Sequence, residues 1–243
     1  MKVLSLDTST ESATCAVLDD DKLLGEITFN YKKQHSVVLM SMVDTLLNNL
    51  KLSIDSLDGF VVSKGPGSFT GLRIGASAVK GLSQGTGKPF VGVSSLDALA
   101  YNLAYTNGIV CPILDALRDN VYTALYRFEE DRLNIIGEHM IISVDELITV
   151  LNQYEEHVCF IGDAIPKFKE RLKSSIKNIS FAPAHLNLTR ASSLGELGLG
   201  LLKNGIYDDL YTFAPIYLRK SQAEREYEKK SRGIENEWYW YTF

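Results

Sequence analysis

The chain has 243 residues, 45% of them hydrophobic and 23% charged, with 25 Lys+Arg against 30 Asp+Glu for a net charge of −5. That length suits one large domain or two lobes of ~100–120 residues; the composition is that of a packed globular protein, and the acidic balance argues against a stand-alone nucleic-acid binder, though not against a local basic patch. The cysteines Cys15, Cys111 and Cys159 form no close pair and no apolar stretch has signal-peptide or membrane-span form, so the expectation is a cytoplasmic protein without membrane contact.

Residues 2–7 (KVLSLD) alternate and stop at Thr8-Ser9-Thr10, the pattern of a strand entering a polar turn. Residues 13–18 and 23–29 predict two more strands around the acidic turn Asp19-Asp20-Asp21, which makes an antiparallel meander. A helix is predicted from His35 to Leu50 and a short buried strand over 59–63. Gly65-Pro66-Gly67-Ser68-Phe69-Thr70 then leads into a helix ending near Gln84, where Gly85-Thr86-Gly87-Lys88-Pro89 stops it. A strand over 90–93 follows, and Ser94-Ser95-Leu96-Asp97 can cap the next helix.

The second half echoes the first more loosely. Strands are predicted near 109–114, 121–128 and 133–142, a helix near 144–153, a strand at 158–161 and helices near 166–173 and 192–204. From about Ser221 the chain is charge-dense and then aromatic (Trp238-Tyr239-Trp240-Tyr241), which reads either as a frayed terminus or as a docking peptide. Three antiparallel strands feeding alternating helices and strands, twice over, resemble the actin/sugar-kinase/Hsp70 fold, an α/β arrangement of two related lobes whose mixed sheets are flanked by helices. The expected divisions are 1–103, 104–215 and a tail over 216–243.

Asp7-Thr8-Ser9 is the first constellation. A carboxylate at a strand end followed by hydroxyls can hold hydrated Mg²⁺ and phosphate; equally, the same residues can cap their own turn. GPGSFTGLRIG, residues 65–75, is not a Walker A loop, because no Lys follows Gly71, and it lacks the third glycine of a dinucleotide fingerprint. It reads as a sharp strand-to-helix turn with Ser68 or Thr70 as the N-cap. Gly71 and Gly75, with Ala78 a turn on, share one helix face and predict a close helix–helix contact. Around helix 35–50 the apolar residues cover an arc from about −100° (Val38) to about 160° (Val37), wider than an ordinary stripe. One side can pack on the sheet, and the other needs a second lobe, a second chain or burial within this one. That places Val38, Leu39, Met42, Val43 and Leu46 in a candidate interface, together with Gly71, Arg73, Gly75 and Ala78.

His35, His139, His157 and His185 are isolated, with no H-E-x-x-H pattern; His35 is read as a helix-start residue. Gly162-Asp163-Ala164 is a strand-end turn or a second phosphate turn, and Arg118-Asp119-Asn120-Val121-Tyr122 a hairpin corner.

The block from Gly65 to Gly75 is similar to the TsaB (YeaZ) family of bacterial tRNA threonylcarbamoyladenosine synthesis. The resemblance extends over Leu6-Asp7-Thr8-Ser9, Lys80-Gly81-Leu82, Gly92-Val93-Ser94-Ser95-Leu96-Asp97-Ala98-Leu99, Asp115-Ala116, Arg118, Val121-Tyr122, Pro215 and Tyr217-Leu218-Arg219, covering nearly all of 1–220. It implies an actin-like fold with a reduced second lobe and a catalytic paralogue, TsaD, that carries the metal and transfers the threonylcarbamoyl group. TsaD-like proteins have two His four apart after the corresponding helix; here the matching positions are Ser95 and Leu99, neither a plausible metal ligand.

The resemblance therefore implies a non-catalytic subunit that activates a TsaD-like partner, reaches a TsaE-like ATPase through the complex, contacts tRNA indirectly and forms a homodimer when alone. No cofactor is required, and residual nucleotide binding would fall to Asp7, Thr8 and Ser9. The competing class is an actin-fold ATPase or small-molecule kinase acting alone through Asp7 and the Gly162 turn. A glycoprotease is a third class, which the missing His pair weakens.

Overall fold

The computed structural model describes residues 1–31 and 34–218. Alternating apolar residues at the start of the chain form β1 (Lys2–Asp7), β2 (Ala13–Asp19) and β3 (Lys22–Phe29), an antiparallel meander. β1 then pairs in parallel with β4 (Gly59–Gly65), and β4 in parallel with β5 (Phe90–Ser94), giving the order β3-β2-β1-β4-β5. The second sheet repeats this order. β6 (Ile109–Asp115), β7 (Asn120–Glu129) and β8 (Arg132–Ser143) form the meander, and β9 (Val158–Ile161) and β10 (Ile179–Phe181) extend it in parallel as β10-β9-β6-β7-β8. The three-residue β10 is too short to have a readable period in the sequence.

Successive residues of a strand face opposite sides of the sheet. Leu4 and Leu6 of β1 therefore enter one core with α1 (His35–Leu50) and α2 (Phe69–Thr86), while Val3 faces a second core with α6 (Ala191–Lys203). α4 (Val144–Leu151) and α5 (Ile165–Ser175) cover the outer face of the second sheet. α3 (Ser95–Tyr101) lies between the lobes, its Leu96, Leu99 and Ala100 packed with Val110, Leu114 and Tyr126. Ser68, Ser94 and Ser143 accept backbone N–H bonds as N-caps of α2, α3 and α4, and Ser143 completes a capping box with Glu146. Among the described residues no helix is long and apolar enough to cross a membrane.

Two expectations need correction. Helix 35–50 is not open on its broad apolar side. Leu39, Met42, Val43, Leu46 and Leu47 are buried in the chain's own first core, so four of the candidate interface residues are taken up internally. The outward apolar residues are Val37, 68% exposed, and Met40, 46% exposed, with Val38 half-buried. The stretch 104–215 is also not one lobe, because α6 returns to the first sheet.

That return is fixed by Glu26 of β3, whose side chain is only 9% exposed. One carboxylate oxygen accepts from Ser192 N and Oγ at 2.9 and 2.8 Å, capping the first turn of α6, and the other accepts from Arg190 Nε and Nη2 at 3.1 and 2.5 Å. Farther along, Gly92 N donates to Asp208 Oδ2 (2.7 Å) and Ile216 N to the Lys64 carbonyl (2.7 Å), so the chain beyond α6 runs along the first lobe. The charge-dense and aromatic stretch from about Ser221 lies outside the described residues.

Glu26→Ala leaves the α6 cap and a partly solvated Arg190 without their acceptor. It is expected to destabilise the fold by about 2 kcal/mol. Urea denaturation reads this as a lowered midpoint at unchanged slope; an unmoved midpoint would separate Glu26 from the docking of α6.

Candidate functional site

The end of β1 is locked by its own side chains. Asp7 is fully buried, and its Oδ1 accepts from Ser9 N (2.7 Å) and Ser9 Oγ (2.6 Å). Thr8 Oγ1 donates to the Gly71 carbonyl at 2.7 Å, and Ser68 N to the Ser9 carbonyl at 2.6 Å. This corrects the reading of the glycine-rich face. A Cβ on Gly71 would lie 1.9 Å from the Thr8 carbonyl oxygen and one on Gly75 2.6 Å from Thr8 Oγ1. The small residues admit the Thr8 backbone and hydroxyl, not a second helix. Of the candidate interface on α2, Arg73 remains outward and Ala78 half-buried. The Arg73 guanidinium lies 4.0 Å from the Phe69 ring centre, and its Nε donates to Tyr217 Oη at 3.2 Å.

Between the lobes lies a cleft of about 1020 Å³, lined by Ser9, Glu11 and Phe69 from the first lobe and by Asp115, Tyr122 and Asp163 from the second, among others. A phosphate there would need donors. Those of the turn are engaged: Ser9 N and Oγ on Asp7, Thr8 Oγ1 on Gly71. Gly162 N is also engaged, donating to Asn187 Oδ1 at 3.1 Å, and a Cβ on Gly162 would lie 2.1 Å from the Ile113 carbonyl oxygen. The Gly162 turn is thus a tight strand-end corner lining the cleft, with Asp163 Oδ1 accepting from Asp115 N at 2.9 Å. Loss of hydration raises the Asp163 carboxyl to about 6; its bond from Asp115 N opposes this, and the charges of Asp115 and Glu11 add to it. The corner before Tyr122 is left-handed at Leu117, Arg118 and Asp119, and the Asn120 side chain donates to the Leu117 and Arg118 carbonyls.

Beneath the cleft two buried acceptors stay bare: Asp7 Oδ2 and His35 Nδ1. His35 opens α1, as the sequence predicts, and its Nε2 meets the Thr10 carbonyl at 2.8 Å, so Nε2 carries the proton and Nδ1 is left as an acceptor. Burial raises the Asp7 carboxyl to about 6, against the lowering by its bonds from Ser9.

Ser95 and Leu99 are both fully buried. Ser95 Oγ donates to the Pro66 carbonyl, and Leu99 sits in the apolar seam between the lobes. Among the described residues no three His, Cys, Asp or Glu side chains converge as a metal cage. No local pattern marks the Glu26–Arg190 pair, or the contact that brings Asp97 to His139 at 2.9 Å. In the sequence Asp97 reads only as part of a capping segment and His139 only as an isolated histidine.

Two meander-and-crossover sheets facing each other across a cleft define an actin-like protein, and solved structures agree. The chain superimposes on YeaZ from Pseudomonas aeruginosa with a TM-score of 0.75, covering 89% of this chain and 99% of that one at 25% identity. It superimposes on the ethanolamine utilization protein EutJ from Carboxydothermus hydrogenoformans with a TM-score of 0.52 over 82% of this chain and 90% of that one, at 14% identity, a likeness of fold alone. Residues 22–227 match the family described as "TsaD: tRNA N6-adenosine threonylcarbamoyltransferase". The tRNA threonylcarbamoyladenosine biosynthesis protein TsaB of Bacillus subtilis is 32% identical over 228 residues, 93% of this chain and 98% of that protein. TsaB of Escherichia coli is 32% identical over 136 residues, 54% of this chain and 57% of that one. The chain belongs to the TsaB (YeaZ) family of tRNA threonylcarbamoyladenosine biosynthesis.

The Asp7 carboxyl titrates higher in the folded chain than in the unfolded one, so the folded state holds the proton more tightly. Its contribution to stability is complete below about pH 4 and is lost as pH rises through about 6, a displacement worth on the order of 3 kcal/mol. Asp7→Asn keeps the shape without the buried charge. It is expected to melt higher than the parent at about pH 7.5, the gap closing towards about pH 4. A lower melting temperature at both values would contradict the burial of a destabilising charge at Asp7.

Proposed function

We propose that this chain is a non-catalytic partner subunit. It pairs with a TsaD-like paralogue and is required there for threonylcarbamoyl transfer to the adenosine beside the tRNA anticodon. The observation that carries this reading is the state of Ser95 and Leu99, the positions at which the resemblance places the paralogue's metal-binding histidines. Both side chains are fully buried, one engaged on a backbone carbonyl and the other in apolar packing, where a ligand group would have neither room nor the right chemistry. In this role the chain works in the cytoplasm, meets a TsaE-like ATPase and tRNA only through the complex, and needs no cofactor of its own. Nucleotide binding at Asp7, Thr8 and Ser9 is residual, since the donors of that turn are already engaged. The same engagement weighs against an ATPase or kinase acting alone.

The partner surface we propose is the outward side of α1 and α2. Val37 and Met40 are exposed there, and Val38, Ile74 and Ala78 lie half-buried at the edge of the first core, with Arg73 beside them. The chain alone would use the same side to form a homodimer, in which a two-fold contact feels each substitution twice.

Reconstituted transfer to tRNA, with and without this chain, tests the role. Transfer that needs the chain, from a chain with no ATP turnover of its own, supports it; transfer at full rate without the chain refutes it. Two neighbouring substitutions test the surface. Met40→Asp is expected to keep the melting temperature and abolish pairing with TsaD. Met42→Asp places a charge in the first core and is expected to cost several kcal/mol, unfolding the chain rather than releasing a partner. Normal TsaD capture by Met40→Asp would move the interface elsewhere.

A further inference from the structure

Lobes joined by a modest interface move relative to each other by default. The seam in this chain is built against such motion. Its apolar part is α3, whose Leu96 and Leu99 are fully buried against β6 and β7 of the second lobe. Its polar part lies at the start of the same helix. Asp97 Oδ1 accepts from Tyr126 Oη of β7 at 2.6 Å and from His139 Nε2 of β8 at 2.9 Å. The same ring nitrogen lies 3.0 Å from Tyr126 Oη and 3.3 Å from Ser94 Oγ. Ser94 Oγ is at once the N-cap of α3, accepting from Leu96 N and Asp97 N. One hydroxyl thus serves both the helix cap and the seam.

The groups that face the cluster come from every element around it: Ser94 from the end of β5, Asp97 from α3, Tyr126 from β7, His139 from β8 and the buried Cys111 of β6. Burial alone would raise the Asp97 carboxyl, but its bonds from His139 and Tyr126 outweigh this and hold it below its ordinary value. Burial, with the Asp97 charge beside it, keeps the Tyr126 phenol protonated. A charged acceptor receiving two donors from the other lobe is the strong form of a hydrogen-bonded contact. A second tie closes the opposite end of α3. Asn102 Nδ2 donates to the Leu186 and Leu188 carbonyls at 3.0 Å each, and its Oδ1 accepts from Ser193 Oγ at 2.6 Å.

We propose that Ser94, Asp97, Tyr126 and His139 form a latch that fixes the two lobes in one arrangement, so that the cleft keeps one width whether or not a small molecule enters it. The latch belongs to the isolated chain and does not depend on the partner assignment. Single-molecule energy transfer between dyes at Gln84→Cys on α2 and Lys173→Cys on α5, both exposed positions, reads the distance between the lobes; the native cysteines are buried. The parent is expected to give one narrow distribution that Mg²⁺-ATP does not move. Asp97→Ala is expected to broaden and shift it, and Asp97→Asn, which retains an acceptor oxygen, to restore most of the narrow form. Should Asp97→Ala fail to fold, Tyr126→Phe, which removes one hydroxyl, is read in the same way and is expected to broaden the distribution. A parent that closes on Mg²⁺-ATP overturns the proposal, as does a folded Asp97→Ala or Tyr126→Phe chain with the parent's narrow distribution.

Discussion

The cleft end of the first lobe depends on an approach of backbone to backbone that no side chain can share. A Cβ on Gly67 would fall 2.2 Å from the Ser9 carbonyl oxygen, and one on Gly71 1.9 Å from that of Thr8. With hydrogen in those places, the first turn of α2 closes onto the end of β1, and the bonds from Thr8 Oγ1 to Gly71 and from Ser68 N to Ser9 can form. The same glycine-rich segment presents the Pro66 carbonyl to Ser95 at the start of α3, and α3 carries the seam with the second lobe. A larger residue at Gly71 would push α2 off β1 and loosen, in sequence, the Asp7 turn, the loop and the footing of α3.

Much of the architecture was legible because strand alternation and helix punctuation are local. The meander of β1 to β3, the Ser68 cap and the echo of the first half in the second all follow from short-range patterns, and the echo is a repeat of strand order, β3-β2-β1-β4-β5 against β8-β7-β6-β9-β10. What stayed hidden was which surface meets which. Spacing at Gly71 and Gly75 reports that something comes close, and a helix and a strand-end turn satisfy it equally. The broad apolar arc of α1 likewise leaves the rotation of the helix open. That rotation is set by its neighbours, including Gly25 of β3, where a Cβ would stand 3.0 Å from Leu46 Cδ1. With Leu46 turned to the sheet, Val37 and Met40 turn to the outside.

Long-range pairing explains the misplaced boundary as well. Chain order puts α6 after the second sheet, yet Glu26 caps it across 166 residues. Ser5 adds to this from inside the sheet, donating to the Ala191 carbonyl at 2.5 Å, and a Cβ on Gly195 would stand 2.8 Å from that hydroxyl. Neither Glu26 nor Ser5 differs from an ordinary strand residue until the partner is known. The candidate site was half legible for the same reason: Asp7, Thr8 and Ser9 stand out as a turn whose Ser9 donors fold back on Asp7, but where the Thr8 hydroxyl points is decided by Gly71, more than sixty positions later.

The direction of those donors bears on what the cleft can do. A hydroxyl or amide that already donates inside the chain cannot also donate to a phosphate oxygen without breaking a bond it has, and three of the groups lining the cleft are carboxylates. Glu11, Asp115 and Asp163 line the cleft, and Asp163 is already pushed to about 6 by its surroundings. An incoming anion would meet like charge and few free donors in the turn. The bonds that occupy these donors are also those that stiffen the turn, since Ser9 and Thr8 reach a rigid partner each. Stiffness at the Asp7 turn and responsiveness to a phosphate are therefore opposed uses of the same atoms. In the structure these atoms are engaged in the first use, and the latch we propose at Asp97 would extend it from the turn to the lobes.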